Sequence, residues 1–260
     1  MPASVRVSDA TIALDEYSGA GSAVLLLHGF PATRRLWAQV APQLCDAGFR
    51  VIVPDLVGYG ASESAAGVRV GMAAQARWMW ELMDALGIKR VTVIAHDVGS
   101  AAGQLMTVTA PHRVRGLAVL DGVYADEWAM DAIESIRTWD PSQAHRLSPV
   151  LARRLGSTAG MRELLKAYEG EQGGRQLIRA ACALDPSETK HIGAALRASA
   201  VPAMVLWGER DQFLPIDTVA RPLARLLGAA VVLLPGAHFT PLDCPAEVAA
   251  ALREFLATLR

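Results

Sequence analysis

The stretch VTVIAHDVGS, residues 91–100, joins a mostly apolar strand to the turn that follows it. Its first five residues are typical of a strand that is covered on both faces, and a helix-like run begins at Gly99. A tight turn between a strand and a helix needs small residues around its apex, because the backbone there is crowded. Ala95 and Gly99 meet that need and leave Asp97 at the apex. Taken alone, the pattern also fits an aspartate that caps the following helix.

Short apolar runs of the same kind recur along the chain. They are residues 23–27 (AVLLL), 51–53 (VIV), 117–120 (LAVL), 203–206 (AMVL) and 231–234 (VVLL). Helical patterns separate these runs, and such alternation predicts a mostly parallel, doubly wound sheet with helices on both faces. Residues 1–20 lack this rhythm, and we expect them to form an antiparallel hairpin at one edge of the sheet.

The alternation stops between about residues 123 and 200, where the pattern is helical throughout and is interrupted by prolines and glycines. A segment of this length is too long for an ordinary connection between two strands. It predicts a helical cap over the carboxyl ends of the strands, where open α/β sheets bind ligands. We therefore expect a core formed by residues 1–122 and 201–260 and a cap formed by residues 123–200.

Composition narrows the class of protein. The 260 residues are 52% hydrophobic and 20% charged, which predicts an ordered globular chain of net charge −1 without the basic surface of a nucleic-acid-binding protein. The three cysteines have neither metal-site nor disulfide spacing. No signal peptide or membrane-length apolar run is visible. We expect a cytoplasmic protein that needs no metal or other cofactor and has no membrane partner.

Three further elements follow predicted strands. The tetrapeptide HGFP, residues 28–31, comes directly after the apolar run at residues 23–27. Asp211 follows the run at residues 203–206, and His238 follows the run at residues 231–234. A single aspartate in a loop is usually solvated, and a single histidine is usually structural. Asp97, Asp211 and His238 nevertheless occur in the order nucleophile, acid, base, each just after a strand, which favours a catalytic triad.

The chain resembles the α/β-hydrolase superfamily over nearly its whole length. The resemblance rests on HGFP at residues 28–31, PDLVGYGAS at residues 54–62 and the strand-turn-helix segment at residues 91–100. It implies a mostly parallel, eight-stranded sheet flanked by helices, with an inserted helical cap. Asp97 in the nucleophile position, preceded by His96, is similar to the branch that contains epoxide hydrolases and the haloalkane and haloacetate dehalogenases.

This resemblance implies a covalent mechanism. A carboxylate suits displacement at an sp3 carbon that bears a leaving group, such as an epoxide or an alkyl halide, better than attack on an ester carbonyl. Asp97 would form an ester, and water activated by His238 would hydrolyse it. The backbone N–H groups of Phe30 and Val98 are the candidates for the oxyanion hole.

Two aspartates could orient His238. Asp211 lies in the loop after the apolar run at residues 203–206, whereas Asp121 ends the strand LAVLD, where some members of the branch carry the acid. We favour Asp211, since members that use the earlier position tend to lack an aspartate in the later loop. Asp121 stays the alternative acid.

The leaving group is harder to predict. Haloalkane dehalogenases have a tryptophan directly after the nucleophile, and fluoroacetate dehalogenases have arginines one and four residues after it, whereas this chain has Val98 and Ala101. We therefore favour an epoxide hydrolase-like enzyme whose cap protonates the opening epoxide. The candidate proton donors in the cap are His145, Tyr124 and Tyr168.

Other functions stay open. A dehalogenase is the alternative within the same chemistry, and a non-hydrolytic or specialised biosynthetic homologue is an alternative outside it. A serine-type esterase or lactonase is the least favoured, because the chain has no G-x-S-x-G and Ser100 lies three residues from the apex. In each case we expect a small, largely apolar substrate, and the sequence is compatible with a homodimer.

Overall fold

A computed structural model describes residues 3–125, 127–155 and 158–259. One twisted sheet runs through the molecule, and its main strands lie in the order β1-β2-β4-β3-β6-β7-β8-β9. The strands are β1 (Ala3–Arg6), β2 (Ala10–Tyr17), β3 (Ala23–Leu27), β4 (Arg50–Pro54), β5 (Glu63–Ser64), β6 (Val91–His96), β7 (Val114–Leu120), β8 (Ala203–Gly208) and β9 (Val231–Leu234). Strands β4, β3, β6, β7, β8 and β9 pair in parallel in that order. The predicted α/β-hydrolase fold is confirmed.

The central strands are apolar because helices cover both faces of the sheet. Every residue of β3 and of β6 is buried. All six apolar runs that predicted parallel strands lie within strands, and β3 and β9 have the predicted bounds. Continuous apolar runs are the expected signature of parallel strands buried on both faces.

The N-terminal region forms the predicted antiparallel hairpin. Strand β1 pairs with β2, and β2 joins the sheet antiparallel to β4, so the hairpin lies at one edge. The two-residue strand β5 pairs with β2 outside the main order, which gives a ninth strand beyond the expected eight.

Some of the helices connect successive strands of the sheet, and others form a long segment between β7 and β8. They are α1 (Ala41–Asp46), α2 (Met72–Ala85), α3 (Gly99–Thr109), α4 (Met130–Arg137), α5 (Leu147–Leu155), α6 (Ala159–Leu165), α7 (Gly170–Ala183), α8 (Gly193–Ala198), α9 (Arg221–Leu227), α10 (Thr240–Asp243) and α11 (Pro245–Thr258). Short 3-10 helices occur at Arg34–Trp37, Pro111–Arg113, Pro141–Arg146, Lys166–Tyr168 and Pro186–Glu188, and a π-helical turn at Ile216–Ala220. Helices α4 to α8 all lie between β7 and β8, in the segment that the sequence assigns to the cap.

Hydrogen bonds over long sequence separations attach this helical segment to the sheet domain. The carboxylate of Glu188 accepts the N–H of Met72 at 2.6 Å and so caps the start of α2. The side-chain amide of Gln176, on α7, donates to the carbonyl of Gly60 at 3.1 Å. These contacts fix the position of the helical segment relative to the strands. None of the helices within the described residues is long and apolar enough to span a bilayer.

Candidate active site

Asp97 occupies a strained turn between β6 and α3. Its φ of 49° lies in the left-handed region, which costs free energy for a residue with a Cβ. The neighbours of Asp97 must be small for steric reasons as well as for the conformation of the turn. A Cβ on Gly99 would lie 2.1 Å from the carbonyl oxygen of His28, and one on Gly29 would lie 2.4 Å from the Cβ of Asp97. The glycines therefore allow the loop after β3 to approach the turn closely.

The Asp97 carboxylate is held by backbone amides. Its Oδ2 accepts the N–H of Phe30 at 2.7 Å, and the N–H of Val98 also donates to the carboxylate. Burial raises the pKa of Asp97, while the neighbouring His238 and the two amides oppose this rise. The two amides predicted for an oxyanion hole thus donate to the carboxylate of Asp97 itself, the group that would carry the oxyanion during hydrolysis of an ester there.

His238 lies between two carboxylates. Its Nδ1 is 2.9 Å from Oδ2 of Asp211, and its Nε2 is 3.8 Å from Oδ1 of Asp97. Asp211 is itself oriented, because its Oδ1 accepts the N–H groups of Phe213 and Leu214. Burial disfavours the protonated imidazole, but the hydrogen bond to Asp211 and the charge of Asp97 outweigh this effect and raise the pKa of His238 to about 9.

Asp121 has a different set of partners. Its Oδ1 accepts the N–H of Gly208 at 2.6 Å, and its Oδ2 accepts the hydroxyl of Thr240. Gly208 precedes Asp211 by three residues and Thr240 follows His238 by two, so the buried Asp121 links the two loops that carry them. The carboxylate that accepts the hydrogen bond from the His238 imidazole is that of Asp211. Burial raises the pKa of Asp121 well above its ordinary value.

Two further histidines are buried beside the site. His28 bonds to the carbonyl of Gly29 through Nδ1 and accepts the N–H of Leu56 at Nε2, so both ring nitrogens are used to hold its loop. His96 places Nε2 at 2.7 Å from the backbone carbonyl oxygen of His238, to which it donates, while its Nδ1 has no partner among the described residues. His96 thus supports the backbone at His238.

A cavity of about 280 Å³ opens above Asp97 and His238. Helices α4 and α5 form one wall, and the loops after β3, β8 and β9 form the other. Its large apolar side chains are Phe30, Ile133, Ile136, Leu151, Leu155, Phe213 and Phe239. Besides Asp97 and His238, the described polar side chains that line it are Arg154 and Gln212. The cavity is of a size for a small molecule, with the nucleophile candidate in its wall.

The structure does not bring the three cap candidates for proton donation to this cavity. His145 is exposed and lies on an outer groove of the helical segment. The hydroxyl of Tyr168 is buried and donates to the carbonyl of Ala32 at 2.8 Å. Tyr124 is half-buried next to β7 and pairs through its backbone with Glu127. Chain spacing alone did not fix which helical faces point inward.

The cavity also contains residues that the sequence interpretation left out. Gln212 and Phe213 directly follow Asp211, so their place in a loop at the carboxyl ends of the strands was a usable signal. Arg154 lies three residues after Leu151 on α5 and therefore shares its inward face. A basic residue on an otherwise apolar helix face is the sequence signal that could have found it.

Comparison with known proteins gives a consistent family. A model of the alpha/beta hydrolase fold matches residues 22–163. A fluoroacetate dehalogenase of Burkholderia sp. is 40% identical over 121 residues, which cover 45% of this chain and 39% of that protein. The haloalkane dehalogenase 2 of Mycobacterium bovis is 29% identical over 255 residues, 91% of this chain and 88% of the relative.

A solved structure of similar fold belongs to a protein with a different named activity. A thermophilic esterase from Thermogutta terrifontis superposes with a TM-score of 0.80 at 26% identity, covering 99% of each chain. Dehalogenases and an esterase thus share this fold. The chemistry of this chain must therefore be argued from its own site.

Proposed function

We propose that this chain, which belongs to the α/β-hydrolase fold family, cleaves a carbon–halogen bond through a covalent ester on Asp97. The observation that carries the proposal is the pair of contacts on Asp97. Two backbone amides donate to the carboxylate, that of Phe30 to Oδ2, and the other oxygen, Oδ1, faces His238 at 3.8 Å. This division suits a nucleophile whose ester is later attacked by water.

In the first step, Oδ1 of Asp97 would attack the sp3 carbon that bears the halogen. A C–O bond forms while the carbon–halogen bond breaks, and its electron pair leaves with the halide. The step needs no proton. It produces an ester on a side chain that was negatively charged, so the charge beside His238 disappears.

In the second step, water would attack Cγ of the ester while Nε2 of His238 takes the proton. Negative charge develops on Oδ2, to which the N–H of Phe30 already donates, while the N–H of Val98 donates to the same carboxylate. Collapse breaks the bond from Cγ to the alcohol oxygen, which takes the proton from His238. The Asp97 carboxyl that remains carries the second proton of the water and releases it, which restores the carboxylate. The overall reaction converts an organohalide and water into an alcohol, a halide ion and a proton.

The second step requires His238 to be unprotonated. With a pKa of about 9, the imidazole is protonated at neutral pH while Asp97 is a carboxylate. Ester formation removes the Asp97 charge that raises this pKa, so His238 can release its proton and become a base. The nucleophilic step therefore prepares the base for the hydrolytic one.

The cavity favours a halide over an epoxide as the leaving group. An opening epoxide needs a proton on an oxygen that departs on the side opposite Asp97, whereas His238 lies on the side of the nucleophile. The cap residues expected to donate it, His145, Tyr124 and Tyr168, do not line the cavity. A halide leaves as an anion without protonation, and dehalogenases are among the relatives.

Serine chemistry is not favoured by the placement of Ser100. Its buried hydroxyl accepts the N–H of Val123 at 3.0 Å from within α3, and it does not line the cavity. The turn presents Asp97 in the nucleophile position, and a carboxylate is suited to sp3 carbon.

The test is to trap the ester. His238→Gln should accumulate an adduct on the peptide that contains Asp97 when incubated with haloalkanoates or haloalkanes, and intact mass gives the attached group. Asp97→Asn is the matched control and should give no adduct. Epoxides form a parallel arm, and an adduct only with epoxides would overturn the choice of leaving group.

Isotope labelling then separates covalent from direct hydrolysis. With wild-type enzyme in excess over an organohalide in ¹⁸O water, the first-turnover alcohol should contain unlabelled oxygen, and the label should appear in Asp97. Label in the first-turnover alcohol would show direct attack by water and refute the ester. A product without new oxygen would indicate a non-hydrolytic homologue.

A further inference from the structure

Arg154 is the one basic side chain besides His238 among the described residues that line the cavity. It lies in the last turn of α5 and is exposed, so it occupies the solvent side of the cavity. Its Nη1 donates to the hydroxyl of Ser135, on α4, at 3.0 Å. A guanidinium has five N–H donors, and no carboxylate within the described ranges lies within ion-pair distance of this one. Most of its hydrogen-bonding capacity therefore stays available at the mouth of the cavity.

The charges around Asp97 explain why a cation at the mouth of the cavity matters. Asp97 and Asp211 flank a single imidazolium, so the catalytic cluster has an excess of one negative charge. An anionic substrate would be repelled by this cluster unless a cation held its charge away from Asp97. A neutral apolar substrate would gain nothing from a guanidinium in the cavity wall.

We propose that Arg154 binds the carboxylate of the substrate, so that the organohalide is a halogenated carboxylic acid with an apolar body between its two ends. This inference rests on the proposed function for the halide and adds the substrate class. The planar fork of arginine matches a carboxylate in two parallel hydrogen bonds. The isoleucine and leucine side chains of α4 and α5 would contact the apolar body, with the halogen-bearing carbon next to Asp97.

This cation lies on helix α5 of the cap and not in the turn that contains Asp97. The residues one and four positions after Asp97 are Val98 and Ala101, so the turn itself has no side chain that could bind an anion. Among the described residues that line the cavity, Arg154 is the one cation apart from His238 that can offset a substrate carboxylate. Because it is exposed, water and salt screen the interaction, and its effect on binding should be moderate.

The test compares acids with their matched amides. Steady-state kinetics are measured with ω-bromo carboxylic acids of increasing chain length and with the corresponding ω-bromo amides, which have the same reacting carbon. For Arg154→Gln we expect KM for the best acid to rise about tenfold while kcat and the amide kinetics change little. In the wild type, added salt should raise KM for the acid and leave the amide unaffected.

Arg153→Gln is the matched control. Arg153 is the preceding residue, is exposed, lies in the same last turn of α5 and does not line the cavity. If the effect of Arg154 came only from a cation at the end of a helix, both variants would behave alike. Equal effects of the two substitutions, or no selective change for the acids, would overturn the proposal.

Two other roles give different results. Stabilisation of the departing halide by Arg154 would lower kcat for acids and amides together, which would also overturn the proposal. A role limited to joining α5 to α4 would be reproduced by Ser135→Ala, which removes the hydrogen bond and keeps the charge. We expect Ser135→Ala to retain the preference for acids, and Arg154→Lys to restore part of it.

Binding of an unreactive acid separates this inference from the proposed function. Calorimetry with butanoate and butanamide needs no turnover, and butanoate alone should lose affinity in Arg154→Gln. Asp97→Asn should bind butanoate more tightly than the wild type does, because the opposing charge is gone. If no organohalide is hydrolysed, the proposed function fails, while the butanoate result still decides the carboxylate site. If butanoate binding does not depend on Arg154, the further inference fails even when organohalides are hydrolysed.

Discussion

The protonation of His238 should depend on the charge of Asp97. In the folded protein the pKa of His238 is about 9, and the hydrogen bond to Asp211 and the charge of Asp97 raise it against burial. Asp97→Asn removes one of these charges while keeping the size of the side chain. An opposite charge within a few ångströms typically changes a pKa by about 1–3 pH units, so we expect His238 to titrate lower by at least about one.

The same proton should appear in the pH dependence of stability. Since the pKa of His238 rises from 6.5 to about 9 on folding, the folded state binds the proton more tightly than the unfolded state does. This contribution, about 3 kcal/mol, is fully present below pH 6.5 and is lost as the pH rises through 9. We therefore expect the free energy of unfolding of the wild type to fall relative to His238→Gln across this interval.

The assays are histidine NMR for the pKa and urea unfolding at a series of pH values for the stability. Asp121→Asn is the control, because Asp121 is a buried aspartate of the same region that does not bond to the imidazole. It should change the pKa of His238 less than Asp97→Asn or Asp211→Asn does. An unchanged pKa in Asp97→Asn, or parallel stability curves for the wild type and His238→Gln, would refute the coupling on which the proposed second step depends.

Three further predictions test the geometry around the site. Gly29→Ala places a Cβ 2.4 Å from that of Asp97, so we expect kcat to fall about a hundredfold with the fold retained by circular dichroism; full activity would contradict the close approach. Asp211→Asn should lower kcat by about 10⁴-fold and Asp121→Asn much less, and the reverse order would make Asp121 the acid. Tyr168→Phe should cost about 1 kcal/mol of stability through its lost hydrogen bond and leave kcat unchanged, whereas a large loss of kcat would restore Tyr168 as a proton donor.

Much of the fold, and the convergence of Asp97, Asp211 and His238, could be predicted because both depend on local rules. An apolar run such as residues 23–27 has to be a buried strand, and parallel strands bring their carboxyl ends to one edge of the sheet. Asp97, Asp211 and His238 each follow such a strand directly, so their convergence follows from topology without any knowledge of side-chain contacts.

The acid was harder to choose because topology permits both candidates. Asp121 ends β7 and Asp211 follows β8, which are neighbouring strands, so both lie at the correct edge. What distinguishes them is hydrogen bonding in the loops, where Gly208 and Thr240 occupy Asp121 and leave Asp211 to His238. These hydrogen bonds depend on the conformation of the loops, which no periodic sequence pattern predicts.

The cap could be predicted as helical but not in its inward faces. His145 lies at a suitable distance along the chain from Asp97, yet it belongs to the short 3-10 helix Pro141–Arg146, whose residues rotate differently from those of an α-helix. Each break between short helices changes the direction of the next helix. The number of residues along the cap therefore does not predict which side chains point toward the cavity. Arg154 faces the cavity because α5 places it beside Leu151.

The long contact between His238 and Asp97 bears on how the site could act. At 3.8 Å, Nε2 and Oδ1 are beyond hydrogen-bond distance, so the lone pairs of Oδ1 are not committed to the imidazole. The other oxygen, Oδ2, is bound by the amide of Phe30 and is less free to attack. Attack by Oδ1 leaves Oδ2 in place for the later oxyanion, so one fixed carboxylate could act in both steps without moving. A direct hydrogen bond from His238 would weaken Oδ1 as a nucleophile, and the gap therefore favours displacement chemistry over a purely structural ion pair.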